Sequence, residues 1–363
     1  MSFAPSCNRP ITENHMSTLP CRTVLALLKL ASCLSLALAS HNAAAAGPSN
    51  YLKRPPAWFK SDEGRKVLAN VLSWQSAHGD WPKNMDTTSK FNELERSKIS
   101  GTFDNGATLG ELRLLARAYN ADAGSQYKTA FLLGLNHILE AQYPNGGWPQ
   151  TFPPGKGYPR HITFNDNTMV GLMAFLREVS GKNDYAFLDQ DLRVRCRASF
   201  DRGIECILKC QVRIDGKLTV WCAQHDEITF APCSARSYEL ASLSGAESAG
   251  ILKLLMSFEN PTPEVRQAIE SGAAWFRTHQ VTGLRLDRSH GDRVAVADPN
   301  APPLWARFYD LETGKPFYCD RDGIKKSDYN QVGRERRNGY SWLGSWGKEV
   351  EDAYRRWIAT VKP

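Results

Sequence analysis

Two short clusters of acidic and amide residues stand directly before apolar helical segments. The first is GTFDNGAT at residues 101–108, which precedes LGELRLLARAY, and the second is TFNDNTM, which begins at Thr163 and precedes VGLMAFL. Such side chains commonly cap a helix start, so both clusters are candidate caps. Alternatively, if both helices begin at the same end of the fold, Asp104 and Asp166 converge on one site.

A converging pair of aspartates can do two kinds of chemistry. Carboxylate and amide oxygens are hard ligands that suit Ca²⁺, so we predict a calcium site formed by Asp104, Asn105 and Asp166. Two carboxylates that flank a glycosidic bond can instead serve as the acid and base of a glycoside hydrolase. Asp104 is therefore also a candidate catalytic residue.

The C-terminal region favours the metal, because it is rich in cations that stand among aromatic residues. Guanidinium groups match carboxylates in a two-pronged geometry, which indicates an acidic sugar polymer as the partner. For Lys325, Lys326 and Arg334, a solvated basic surface is the simpler interpretation. The cations of residues 303–344 are Arg307, Lys315, Arg321, Lys325, Lys326, Arg334, Arg336 and Arg337.

The composition is that of a globular protein, with 42% hydrophobic and 23% charged residues in 363. The net charge is +7, and the first 46 residues contribute Arg9, Arg22 and Lys29 against Glu13, so the remainder carries about +5. This excess is modest, and the sequence contains no nucleic-acid-binding motif. We therefore expect no nucleic-acid partner.

The N-terminus has the pattern of a secretory signal. Arg22 precedes the apolar run at 24–40, and AAAAG follows at 43–47, so residues 1–46 are predicted as a signal peptide with cleavage near Ala46 and a true start possibly at Met16. The sequence predicts a secreted or periplasmic protein with no membrane contact after cleavage, and we expect a monomer. Six cysteines would remain, an even number that permits disulfides, with zinc at Cys206 and Cys210 as the rival interpretation.

The elements that must position the aspartates form a repeat. Gln75, Gln142, Gln211 and Gln280 each close an apolar helical run, at intervals of 67, 69 and 69 residues. A second set of helices lies between these runs, so two helices make one unit. Such units bury their apolar faces only by stacking. The sequence predicts an all-α fold, an α/α toroid of about three helical hairpins with an extra helix, a loop-rich cleft and an irregular C-terminal segment.

Turns that contain tryptophan recur after the glutamines, as HGDWPK at 78–83 and NGGWPQ at 145–150. Trp148 is either a packing residue or a platform on which a sugar ring stacks. Lys83, at the end of the first turn, is a candidate substrate-binding cation. If successive units are equivalent, these turns lie at the same end of the fold.

Several longer segments, in order, resemble the pectate lyases of polysaccharide lyase family 10. They are WQSAHGDWPKNMD, GTFDNGATLGELRLLARAY, QYPNGGWPQTFP, YPRHITFNDNTM, SARSYELASLSGAES and PLWARFYDLETGKPFYCDRDG followed by RRNGYSW. The resemblance runs from about Tyr51 to the C-terminus, which makes residues 47–363 a single catalytic domain.

The resemblance implies calcium-dependent β-elimination on α-1,4-linked polygalacturonate, which yields 4,5-unsaturated products. It implies that Arg321, in CDRDG, corresponds to the arginine taken as the base. Asp104 and Asp166 correspond to the acidic residues around the calcium, and Arg236 and Arg336 to arginines that contact the substrate. Two alternatives remain open: a glycoside hydrolase acting on an acidic polysaccharide, and a pectin-binding protein without catalysis.

Overall fold

The chain is described by a computed structural model over residues 47–91 and 99–360. The predicted signal peptide, residues 1–46, lies outside the described residues. Helices make up most of the regular structure. The α-helices are α1 (Asp62–Ser73), α2 (Leu109–Asn120), α3 (Gln126–Glu140), α4 (Thr168–Gly181), α5 (Gln190–Cys210), α6 (Gly245–Leu255), α7 (Pro263–Thr278), α8 (Arg334–Gly339) and α9 (Trp346–Thr360).

The strands are short and lie in the loops between the helices. Their pairings are antiparallel and form small sheets, in the orders β1-β4-β5, β12-β11-β10-β6, β13-β9, β2-β3 and β7-β8. The strands are β1 (Ile162–Thr163), β2 (Arg213–Ile214), β3 (Lys217–Leu218), β4 (Gln224–His225), β5 (Pro232–Cys233), β6 (Leu243–Ser244), β7 (Leu284–Asp287), β8 (Val294–Ala297), β9 (Trp305–Ala306), β10 (Phe308–Tyr309), β11 (Pro316–Cys319), β12 (Lys325–Lys326) and β13 (Leu343–Gly344).

The helices alternate as the repeat predicts. The glutamine-terminated helices are α1, α3, α5 and α7, and the helices between them are α2, α4 and α6. The second set packs in succession, α2 on α4, α4 on α6, and α6 on α9. The α/α toroid prediction is confirmed, with one addition. The extra helix α7 also has a partner, because α9 from the C-terminal region packs against both α6 and α7.

The repeated glutamines join consecutive units. Gln75 Nε2 donates to the carbonyl oxygens of Gly79 at 3.0 Å and Ala130 at 2.9 Å. Gln142 Nε2 donates to Gly146 at 3.0 Å and Ser199 at 2.8 Å. Each glutamine therefore holds its own turn and the next glutamine-terminated helix, and Gln211 does the same with Thr219 and Ala268.

Removing one glutamine should measurably destabilise the stack. We expect Gln142→Ala to lower the free energy of unfolding by about 2 kcal/mol, because buried carbonyl groups lose their donor. Urea unfolding would measure the change. Gln267→Ala, on the exposed side of α7, is the matched control and should stay within about 0.5 kcal/mol of the parent. Equal stability of the two variants would contradict this role for the repeat.

The tryptophans of the turns are also structural. The side chains of Trp81, Trp148 and Trp221 are fully buried, and each indole Nε1 donates to a carbonyl oxygen of the preceding helix or its end. For Trp148 the acceptor is Ile138, at 2.9 Å. The prediction of Trp148 as a sugar-stacking residue is therefore wrong in this structure, because no ring face is open to a ligand.

The disulfides that the even number of cysteines would permit are absent from the described residues. Cys196, Cys206, Cys210, Cys222, Cys233 and Cys319 are all free thiols. Burial, followed by a hydrogen bond with Cys206, raises the pKa of Cys210, so the Cys210 thiol stays protonated. Within 47–91 and 99–360, no helix has both the length and the apolar character that a bilayer crossing requires.

Candidate active site

The two aspartate clusters form single 3₁₀ turns, Asp104–Gly106 and Asn165–Asn167. Neither aspartate caps a helix, because the N-cap residues of α2 and α4 are Thr108 and Asn167, and neither makes a side-chain cap bond. By contrast, Ser61 Oγ, Asp189 Oδ1, Ser244 Oγ and Thr262 Oγ1 cap α1, α5, α6 and α7. The acidic clusters at α2 and α4 are thus free for another purpose.

Both turns follow a buried phenylalanine, whose backbone N–H donates to a residue that follows the tryptophan of a neighbouring loop. Phe103 N donates to the Gln150 carbonyl oxygen at 3.1 Å, and Phe164 N donates to that of Ala223 at 2.8 Å. When the two clusters are aligned on these phenylalanines, Asp104 and Asn165 occupy equivalent positions. Asp166 then corresponds to Asn105, and both have left-handed backbone, with φ of 49° and 54°. Asparagine and aspartate tolerate that conformation better than other non-glycine residues.

The two turns meet at a cavity of about 130 Å³. Residues predicted from the sequence that line it are Lys83, Asp104, Asn105, Asp166 and Arg236. The structure therefore brings together the predicted calcium ligands and two of the predicted substrate-binding cations. The other lining residues are Asn84, Gln150, Tyr158, Asn165, Gln224 and Glu239.

Asp104 is buried and its carboxylate is already satisfied. Its Oδ2 forms an ion pair with Lys83 Nζ and accepts a 2.6 Å bond from Gln150 Nε2. Its Oδ1 accepts from Asn105 N at 3.0 Å. Only 2% of the residue is exposed, so Asp104 serves as the counter-ion that fixes the Lys83 ammonium at the cavity wall.

Asp166 is the open carboxylate, with 37% of its side chain exposed. Its Oδ1 accepts from Arg307 Nη2 at 2.9 Å, and its Oδ2 from Asn165 Nδ2 at 2.8 Å. Arg307 is buried and also pairs with Glu247. Burial alone would lower the pKa of Arg307, but the Glu247 and Asp166 carboxylates outweigh it and raise that pKa, so the guanidinium stays charged.

The donors around the cavity fit a calcium ion better at Asp166 than at Asp104. All are oxygens of carboxylates, amides or a phenol, as hard cations prefer. Each Asp166 oxygen accepts one bond from a neighbouring side chain, and an ionised carboxylate has about four acceptor positions. Asp104, in contrast, would have to release Lys83 or Gln150 before it could bind a metal.

Beside the cavity, three arginines surround one buried aromatic ring. The guanidinium carbons of Arg236, Arg321 and Arg336 lie 4.9, 5.7 and 4.8 Å from the centre of the Tyr238 ring. Arg236 also lines the cavity, whereas Arg321 and Arg336 are not among its lining residues. Because cations favour the face of an aromatic ring, Tyr238 keeps the three like charges in one group.

Internal carboxylates neutralise this group. Arg236 forms a two-pronged pair with Glu239, and that hydrogen bond raises the pKa of Arg236. Glu335 bridges Arg321, at 3.0 and 3.1 Å, and Arg336, at 2.7 Å, and the bond to Glu335 raises the pKa of Arg321. Arg236 and Arg321 therefore both hold their protons in this state. Arg321 is 62% exposed in its side chain, and Arg336 only 9%.

Several site residues were missed by sequence reasoning. Gln150 occupies in GWPQ the position that Lys83 has in DWPK, and both contact Asp104 Oδ2, so the repeat itself contained the signal. Glu247 lies three residues after Ser244 and resembles part of an ordinary helix cap. Arg307 was one cation among eight, and no local pattern singled out Tyr238.

Comparisons with known proteins agree on one family. A family profile described as pectic acid lyase matches residues 75–351. No curated protein matches the chain. A solved structure of a family 10 polysaccharide lyase from Cellvibrio cellulosa is 37% identical, with a TM-score of 0.73, and covers 86% of this chain and 96% of its own.

A second solved structure, of a mutant of the Cellvibrio cellulosa lyase in complex with trigalacturonic acid, has the same identity and TM-score. It covers 85% of this chain and 96% of its own. The segments that carried the resemblance in the sequence lie largely within the matched region. The chain therefore belongs to the pectic acid lyase family, among the family 10 polysaccharide lyases.

Proposed function

We propose that this lyase cleaves α-1,4-linked polygalacturonate by calcium-dependent β-elimination and releases 4,5-unsaturated oligogalacturonides. The observation that carries the proposal is the cavity in which the open carboxylate of Asp166 faces the cations Lys83 and Arg236. An anionic sugar needs such cations, and a carboxylate among them is suited to hold a divalent metal against the sugar carboxylate. The trigalacturonic acid bound by the related lyase has this chemistry.

The reaction removes a proton from C5 of a galacturonate ring. The electron pair of that C–H bond forms the C4–C5 double bond, the C4–O bond breaks, and the departing oxygen takes a proton. Negative charge develops on the C6 carboxylate as the C5 proton leaves, so cations fixed beside that carboxylate lower the barrier. A bound Ca²⁺ would supply Lewis-acid stabilisation of the same charge.

We propose Arg236, rather than Arg321, as the arginine that faces the reacting carbon. Arg236 lines the cavity with Asp166, while Arg321 is not among its lining residues and is bound by the exposed Glu335. Arg321 is then suited to contact the carboxylate of a neighbouring sugar. Arg336, which is nearly buried, supports this contact by holding Glu335, instead of touching substrate as the resemblance implied.

For the metal, we propose Asp166 as the main protein ligand, with amide oxygens such as that of Asn105 beside it. Asp104 acts through Lys83, whose ammonium it holds at the cavity wall. Lys83 contacts the substrate carboxylate. This arrangement keeps Asp104 next to the reaction without requiring it to coordinate the ion.

The direct test is ultraviolet absorbance during digestion of polygalacturonate at alkaline pH, with Ca²⁺ and then with a chelator. We expect absorbance from the new C4–C5 double bond, and loss of the signal on chelation. New reducing ends without absorbance would indicate hydrolysis, and neither signal would indicate binding alone. Absorbance that persists in chelator would contradict the calcium requirement but retain the elimination.

We propose further that the enzyme is secreted or periplasmic and acts as a monomer, as the N-terminal sequence pattern and the polymeric substrate favour. N-terminal sequencing of exported protein should find a start close to residue 47. Light scattering should give the mass of one chain. A full-length N-terminus on the exported protein, or a dimer mass, would contradict the respective proposal.

A further inference from the structure

A second group of ligand-type side chains lies outside the cavity just described. His161, Asp226 and Cys233 each offer one donor atom, and these three atoms lie within 4.8 Å of one another. All three residues are half-buried. They come from two distant chain segments, because His161 directly precedes β1 whereas Asp226 and Cys233 lie on the β4–β5 hairpin.

The histidine is oriented by a carboxylate behind it. His161 Nδ1 lies 2.9 Å from Glu227 Oε2, which leaves Nε2 as the ring nitrogen open to a ligand. Glu227 is in turn held by Arg160 at 2.7 Å. A carboxylate on the remote nitrogen is the usual second partner of a metal-bound histidine, because it fixes both the tautomer and the ring orientation.

The other two donors are also presented with free positions. The side-chain hydrogen bonds of Asp226 within the described residues all reach Oδ1, from Ile228 N and from Thr229 N and Oγ1, which leaves Oδ2 available. Cys233 is a free thiol, so its Sγ is available as well.

We propose that His161, Asp226 and Cys233 form a zinc-binding site, separate from the cavity that Asp104 and Asp166 line. A thiolate and an imidazole select zinc over calcium, which takes oxygen ligands. Three protein ligands leave the fourth tetrahedral position to water. Bound zinc would clamp β1 to the β4–β5 hairpin. Because β1 leads into the Asn165–Asn167 turn, the clamp would also stiffen the segment that carries Asp166.

The test uses the full chain, stripped of metal and titrated with Zn²⁺ alone in a large excess of Ca²⁺. We expect one zinc per chain, and substitution by Co²⁺ should give the charge-transfer absorption of a cobalt–thiolate bond. Cys233→Ser should weaken zinc binding at least about 100-fold, and Glu227→Gln about 10- to 100-fold. Cys196→Ala, which removes a buried thiol on α5, is the control and should bind zinc as the parent does.

The cobalt spectrum of the parent decides the proposal even if a variant fails to fold. No stoichiometric zinc in excess Ca²⁺, or a cobalt complex without the thiolate band, would overturn it. Parent-like zinc affinity in Cys233→Ser, or an equal loss in Cys196→Ala, would overturn it as well. None of these outcomes depends on pectate cleavage, so the test is independent of the proposed activity.

Discussion

Arg236→Lys is expected to lower kcat on polygalacturonate by at least about 100-fold while the protein remains folded. A positioned acid–base group commonly contributes a factor of about 10² to 10⁴ to the rate. Lysine retains a positive charge against Glu239, which is only 4% exposed and would be costly to leave unpaired. Initial rates of absorbance increase, together with thermal unfolding of both proteins, would measure the two effects separately.

Arg321→Lys is the matched comparison. Arg321 is paired with Glu335 and largely exposed, so its replacement should raise KM by about tenfold and leave kcat within a few-fold of the parent. If the two variants exchange these phenotypes, Arg321 is the base, as the sequence resemblance implied, and our reassignment fails. If both variants lose kcat equally, the arginines around the Tyr238 ring contribute to the reaction jointly and neither can be assigned as the base.

The pH profile follows from the direction of the Arg236 pKa shift. Glu239 raises that pKa, so the neutral guanidine that can accept the C5 proton is scarce at pH 7. Below the pKa the neutral fraction grows about tenfold per pH unit, so kcat should rise with pH through the alkaline range. A kcat that is flat or falls between pH 8 and pH 10, on a protein that stays folded, would count against an arginine base.

Asp166→Asn should raise the calcium concentration needed for half-maximal activity by at least about 30-fold. The carboxylate is the only open anionic donor that we assign to the ion, and removing one charged ligand lowers the affinity of a hard-cation site steeply. Asparagine preserves the left-handed turn and can still accept from Arg307, which keeps Glu247 as a second partner. Calcium titrations of initial rate would give the shift.

Asp104→Asn provides the contrast. This change frees Lys83 from its counter-ion, so we expect a higher KM or lower kcat with a calcium requirement within about threefold of the parent. Calcium binding measured without substrate, by calorimetry, should agree with the kinetic result in both variants. A larger calcium defect in Asp104→Asn than in Asp166→Asn would reverse the ligand assignment.

The repeat was the part of the fold that sequence reasoning could reach. Gln75, Gln142 and Gln211 recur because each donates one hydrogen bond to its own turn and a second to the next glutamine-terminated helix, a pair of bonds that needs both hydrogens of a side-chain amide. The packing of α9 against the last helices of the repeat could not be predicted from the sequence. Its partners α6 and α7 lie far from it in the sequence, and no glutamine closes it as the helices of the repeat are closed.

Sequence reasoning predicted the parts of the site that lie in the repeated clusters and missed the parts that lie outside the repeat. The convergence of Asp104 and Asp166 follows from two similar helix openings in consecutive units. Their unequal burial does not follow, because it depends on Lys83 and Gln150 reaching one carboxylate and Arg307 reaching the other. Trp148 shows that a repeated residue can also be misinterpreted. The sequence of a turn does not reveal whether its tryptophan ring faces solvent or the core, and the ring of Trp148 faces the core.

The one-residue offset between the two 3₁₀ turns decides on which side of each turn the negative charge lies. In the first turn the order is aspartate then asparagine, and in the second it is asparagine then aspartate, on backbones of the same shape. Exchanging aspartate and asparagine at these two positions moves the negative charge from the buried to the open side of the turn, and the backbone conformation of the turn stays the same. The same turn therefore anchors the Lys83 ammonium in one unit and leaves an open carboxylate in the next.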